Sequence, residues 1–149
     1  MDLKYTIATI HILTFGLGFA SCWMRASALQ KLKDQSGVND VLKADNAWGI
    51  AAALWLLTGL WRAFGGLEKG SDYYLQNTAF LIKMGLFVLI FILELKPMIT
   101  FIRWRILKGK GQAVDISVAP AFARTTYIQL LILLPIAAMA TAMARGIFY

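Results

Sequence analysis

The sequence predicts an all-α integral membrane protein, a four-helix bundle forming one domain over 1–149. Three observations carry this. The 149 residues are 59% hydrophobic and 15% charged, and a mean hydropathy of +0.64 is too apolar for a soluble domain of this size. The apolar residues fall into four runs, 5–24, 48–64, 78–102 and 125–144, each near the ~20 residues a helix needs to cross the hydrocarbon. None of the runs alternates apolar with polar residues as a barrel strand does, and a segment in lipid must satisfy its own backbone, so the runs read as helices.

The first run opens "MDLKYTIATIHIL". It has the outline of a signal peptide, but Asp2 beside Lys4 and the lack of a small-residue cleavage site mark it as a retained helix. The polar connection "RASALQKLKDQSGVNDVLKADN" has helical promise as far as Gly37, with Asp45 or Asn46 as the expected N-cap of the second span. That span is the shortest and extends outward through Arg62, whose stem can snorkel. "GGLEKGSDYYLQN" combines three glycines with paired tyrosines, which suits an interfacial turn; Trp61, Tyr73, Tyr74 and Tyr149 are expected in the aromatic belt. Pro120 closes the basic third connection, and Pro135 is the expected kink of the fourth span. Cys22 is the single cysteine, has no disulfide partner, and reads as a packing residue.

Charge gives the orientation. With four spans the first and third connections share a side. Four cations from Arg25 to Lys43 border the first and six from Lys96 to Arg124 border the third, so ten of the fifteen lysines and arginines lie together. The positive-inside rule places that face in the cytoplasm and both termini outside. The same rule accounts for the net charge of +7 without a nucleic-acid partner.

Depth then singles out the ionisable residues. His11 and Lys83 both lie one to two turns inside the outer boundary, about 6–9 Å deep for Lys83 at ~1.5 Å per residue. Lys83, Phe87, Ile90 and Glu94 share one stripe of the third span, which should face inward because ionisable groups facing lipid are costly. His11, Phe15, Gly18 and Cys22 share one on the first, where Gly16, Gly18, Ala20 and Ser21 would admit a close neighbour. Trp48, Trp55 and Arg62 recur every seven residues on the second. Met139, Met143 and Arg145 lie in the outer layer of the fourth. At the inner end Arg25 and Glu94 are an available structural ion pair.

These residues describe an outer-leaflet chamber that is cationic and aromatic. Trp55 and Phe87 can stack on a flat apolar ring, Lys83 and Arg62 can bind its carboxylates, and a neutral His11 imidazole can ligate a metal; haem b or another tetrapyrrole is the ligand this predicts, with redox chemistry as an extension. A quinone or an anionic lipid fits less specifically. The plainer readings are that His11 hydrogen-bonds across helices, that Lys83 snorkels to the outer surface, that the tryptophan stripe packs helices and that the methionines fill core. Two other classes stay open: a non-catalytic accessory or homo-oligomeric subunit, and a small transporter, which would have to dimerise. The chain contains no nucleophile elbow, zinc-protease helix, phosphate-binding glycine loop or paired acids at glycosidase-like positions.

The stretches "ADNAWGIAAALWLLTGLWRAFGGLEKGSDYYLQN" and "FLIKMGLFVLIFILELKPMITFIRWR" resemble a bacterial family of predicted membrane proteins of about this length that carries no established activity. A more distant resemblance is to the four-helix superfamily of the copper-resistance CopD proteins and the HemJ-type protoporphyrinogen oxidases. The latter carry a histidine early in the first span and a lysine early in the third, matched by His11 in "TIHIL" and Lys83 in "LIKMG", and the resemblance implies association with haem. About three turns after the lysine, where those sequences tend to have a second histidine, this chain has Glu94. Two histidine ligands from one chain are excluded, because His11 is the only histidine.

Overall fold

Asp2 starts the first helix: in extended conformation, it accepts a hydrogen bond from the Lys4 backbone N–H at 3.1 Å, filling one of the donors that a helix start leaves open. The computed structural model describes residues 2–147. They form α1 (Leu3–Lys31), α2 (Val38–Phe64), α3 (Ser71–Gln76), α4 (Thr78–Gly109) and α5 (Ala119–Ala144), with a 3-10 turn at Gln35–Gly37 and no strand among the described residues. All but α3 are long and apolar enough to cross a membrane. We call the end carrying Asp2 and Ile147 the outer end, after the charge distribution.

All four spanning helices outrun their apolar segments at the inner end, α1 as far as Lys31. The expected cap at Asp45 or Asn46 is corrected: α2 starts at Val38, so Asp45 lies two turns inside the helix. Nothing in "VNDVLKADN" breaks a helix, and starting early buries Val38, Val41 and Leu42 against Leu29, Phe101, Trp104 and Phe122. α4 runs on to Gly109, while α5 begins at Ala119, with Pro120 in its first turn, where proline's missing N–H is no loss. Neither Pro97 nor Pro135 ends its helix.

At the outer end, the expected turn between the second and third spans contains the short α3. Asn77 then caps α4 by accepting from the Phe80 N–H at 3.0 Å. The belt assignment of Tyr74 is corrected, because its side chain is buried against Ala63 and Phe80. Trp61 is exposed, as a belt residue should be, Tyr73 is half-buried, and Tyr149 lies outside the described residues.

Packing runs α2–α1–α5–α4. α1 lies along both α2 and α5, α5 also lies along α4, and α2 and α4 touch only sparsely. The bundle is therefore a ring with one weak seam. Of the small residues on α1, Gly18 meets Trp48 and Ala51 and Ser21 is buried, but Gly16 and Ala20 are exposed. Around the outside, Leu13, Leu57, Phe91 and Leu131 are each more than half exposed. Such an apolar girdle is a liability in water and the expected surface in lipid.

Candidate functional site

Two polar systems occupy the interior, one at each end. The inner one centres on Arg25, fully buried in α1. Its Nη1 donates to Glu94 Oε1 of α4 at 2.6 Å and to Asp45 Oδ1 of α2 at 2.8 Å. Its Nη2 donates to Glu94 Oε2 at 2.8 Å and to Gln129 Oε1 of α5 at 2.9 Å, and Gln129 Nε2 donates back to Glu94 Oε2 at 2.7 Å. Arg105 in turn reaches Asp45 Oδ2 at 2.5 Å. Four of the five guanidinium donors are thus satisfied, Nε alone being unpartnered, and Trp48 and Phe101 pack over the plane at 5.6 and 5.8 Å. Two arginines and two carboxylates give zero net charge. The system ties all four spanning helices together at one level and closes the weak α2–α4 seam at the inner end.

The structure thus brings Arg25 and Glu94 into a bidentate pair. Asp45, Arg105 and Gln129 were not singled out from the sequence. Asp45 was hidden by its assignment as a cap and Arg105 lay beyond the expected third span, while Gln129 is a single amide in an apolar run, where a polar residue within a span was the available signal.

The outer system is a chamber of ≈ 440 Å³ whose wall includes His11, Phe15, Trp55, Arg62, Lys83 and Met143. Its size lies in the range of small-molecule sites, about 300–1,000 Å³. His11 Nδ1 is 2.8 Å from Thr58 Oγ1. The Thr58 hydroxyl directs its one proton to the backbone carbonyls of Leu54, at 2.7 Å, and Trp55, at 3.2 Å, as helical threonines commonly do. Its oxygen is then open to accept from Nδ1–H, the tautomer that leaves the Nε2 lone pair free. No hydrogen bond reaches Nε2 among the described residues. The ring stacks on Trp55 at 5.8 Å and 28°, and Gly59 makes room for it: a Cβ there would sit 3.0 Å from His11 Cε1.

The cations of the chamber differ in their partners. Arg62 donates from Nε, at 2.7 Å, and from Nη2 to Glu68 Oε1, and Glu68 Oε2 accepts from the Tyr74 hydroxyl at 3.1 Å. Lys69 donates to the Tyr73 hydroxyl at 3.1 Å, which donates to the Met143 carbonyl at 3.3 Å. These residues form a strap over the water side. Gly66 and Gly70, at φ of 70° and 87°, allow its turns, a backbone that other residues rarely adopt. Burial, and then the Glu68 carboxylate, push the Tyr74 phenol up to about 12. Lys83, by contrast, makes no hydrogen bond or ion pair among the described residues; its ammonium lies 5.2 Å over the Phe80 ring. Arg145 is exposed as the C-cap of α5 and does not line the chamber.

From the chamber a narrow cleft of ≈ 40 Å³ continues between α2 and α4, sharing His11, Trp55 and Lys83 and adding Leu56, Leu60, Met84 and Phe87. Toward the inner end the space closes. Between Phe15, Gly18, Trp48, Ala51 and Leu133 only ≈ 10 Å³ is left, and Cys22, Ile90, Leu130 and Ile136 fill the layer. The chamber is blind. His11, Lys83, Arg62, Trp55 and Phe87 all line one or both of these spaces, whereas Thr58, Gly59 and Glu68 were not singled out from the sequence and Tyr74 was assigned to the belt.

Among the described residues no group of three or more His, Cys, Asp and Glu side chains converges as a metal site would. No curated protein and no solved structure matches the chain. The family described as "Predicted membrane protein (DUF2214)" matches residues 3–148, nearly all of the sequence, and together with four helices of spanning length this makes the chain a multi-pass membrane protein belonging to that family.

Proposed function

We propose that the protein binds haem b or a related tetrapyrrole in the outer-leaflet chamber, in a bacterial inner membrane with both termini in the periplasm. One observation carries the reading: His11 Nδ1 lies 2.8 Å from Thr58 Oγ1 at the wall of a chamber of ligand size, and a proton held there leaves the Nε2 lone pair to a ligand. Metal-ligating histidines typically donate their other N–H to a fixed acceptor, which sets the tautomer and raises ligand basicity. A tetrapyrrole supplies its own four nitrogen ligands, so one protein donor fits it where a bare ion would need several. His11 would be the nitrogen donor to the iron, Trp55 and Phe87 would supply apolar ring contacts, and Lys83 would meet a carboxylate. Arg62 takes part through the Glu68 strap. The pairing of an early first-span histidine with an early third-span lysine, the basis of the HemJ-type resemblance, supports the same reading. When bound, haem would supply one-electron chemistry, with the chain holding, orienting and shielding it.

The test is the absorption spectrum of the protein purified from a haem-supplied host, followed by haemin titration of the apo form. A Soret band is expected, and His11→Ala should lose it. A colourless protein that haemin does not saturate would remove the tetrapyrrole.

A second reading, a homo-oligomer or an accessory subunit, draws on Gly16 and Ala20, spaced i, i+4 and left exposed on α1, the pattern that lets two membrane helices approach closely. Gly16→Leu should then shift the protein to monomer in mild detergent. The transport reading gains no support from a chamber with a packed floor.

A further inference from the structure

The mouth of the chamber has two sides of opposite character. Toward water it is covered by the strap, where Arg62, Glu68 and Tyr74 satisfy one another and Lys69 is tied through Tyr73 to the end of α5. Toward lipid it continues into the cleft between α2 and α4, the helix pair with the sparsest contact. Leu56 and Leu60, on the cleft's rim, are about 40% exposed, at 39% and 41%, in the apolar girdle that meets acyl chains. Lys83 sits where chamber and cleft join, since it lines both.

The gradient along the cleft is that of an amphiphile. A cation without a partner lies near the outer boundary, and Trp55, Phe87 and Ile136 lie deeper toward the midplane. An unpaired ammonium at this depth is costly, and membrane lysines are normally paired or snorkelled into water. Here Lys83 is directed over Phe80 instead. Glu68 lines the same chamber but makes no ion pair with Lys83, and an anion delivered with an apolar body that fills the cleft would supply that partner.

We infer that the seam between α2 and α4 is a lateral portal, through which a bilayer-dissolved amphiphilic carboxylate enters from the outer leaflet and pairs its head group with Lys83. The inference rests on the chamber being a ligand site, but not on the ligand being a tetrapyrrole. The shared chemistry is a carboxylate on an apolar body, met equally in a porphyrin and in a fatty acid. Lys83 is the anchor, and the cleft admits the apolar body without passage through water.

The probe is a dibrominated stearic acid added to the protein in phosphatidylcholine nanodiscs, because bromine quenches tryptophan on contact. The Trp55 share of the emission is obtained by subtracting the spectrum of Trp55→Phe. Quenching of that share should saturate with the acid, while the methyl ester gives only the weak, non-saturating loss of bilayer partitioning. Aqueous iodide should leave Trp55 bright. Lys83→Met should weaken the saturable phase by about tenfold or more, the loss of one charge-assisted contact, and Lys83→Arg should retain it. Equal quenching by acid and ester, or efficient quenching by iodide, would overturn the portal. Haemin titration of the same sample separates the two proposals. Saturation by the acid without a Soret band removes the tetrapyrrole and leaves the portal; a Soret band without saturation by the acid removes the portal and leaves the tetrapyrrole.

Discussion

At the residue scale the imidazole of His11 acts through the side chain behind it. With the Thr58 proton on the helix backbone its oxygen can accept from Nδ1, the arrangement that leaves Nε2 to a ligand. Thr58→Val keeps the volume and removes the acceptor; haemin affinity should fall about 10–100-fold, the usual effect of losing such an outer partner, while Thr58→Ser keeps most of it. Soret titrations of the two variants decide this, and equal affinities would mean that the threonine does not set the tautomer. The strap gives a prediction in pH. Tyr74 in the fold ionises at about 12, against about 10 for a free tyrosine. The protonated phenol is thus the form the fold favours: its contribution is complete below about pH 10 and is lost as pH rises through the folded value. Tyrosinate absorbance should show a late step that Tyr74→Phe removes. The single histidine and the embedded lysine were legible in the sequence because such residues are conspicuous in apolar runs. Thr58 was not, since a helical threonine carries no pattern until the neighbour it accepts from is known.

At the scale of elements, the two charged stripes were legible for a geometric reason. Residues spaced by whole turns share a face, and lipid turns that face inward, so Lys83, Phe87, Ile90 and Glu94 all point away from the exterior. Helix ends were less legible, because apolar runs mark the membrane and helices outlast it. The α2 start was misplaced for that reason, and with it Asp45, which belongs to the Arg25 system. That system makes an asymmetric prediction. Glu94→Leu leaves a fully buried guanidinium without its bidentate partner and should cost about 3–5 kcal/mol, whereas the double variant Arg25→Met, Glu94→Leu should recover much of the loss. Unfolding in a graded detergent series, read as a double-mutant cycle, measures the coupling. A double variant as unstable as Glu94→Leu alone would mean that Asp45, Arg105 and Gln129 need the cation more than the bundle needs neutrality.

For the whole molecule, the two polar systems divide the labour of a ring with one weak seam. At the inner end Asp45 of α2 and Arg105 of α4 join across the seam; in the outer half no ion pair among the described residues joins those helices, only ring contacts of Phe64 with Phe80 and Trp55 with Phe87, and the chamber and cleft open there. A blind chamber must be filled and emptied at the end where it opens, so orientation decides which side of the membrane supplies it. Ten of the fifteen cationic side chains flank the closed end, and the proposed orientation, with the open end in the periplasmic leaflet, draws on that asymmetry. Single cysteines at Lys69 and Lys110 report this directly. Both positions are exposed, and the one native cysteine, Cys22, is buried. With a membrane-impermeant maleimide on intact spheroplasts, Lys69→Cys should label at once and Lys110→Cys only after the membrane is breached. The reverse pattern would turn the chamber toward the cytoplasmic leaflet. The Thr58, Lys83 and Glu94 predictions would stand unaltered, but the ligand would then have to come from the leaflet facing the cytoplasm.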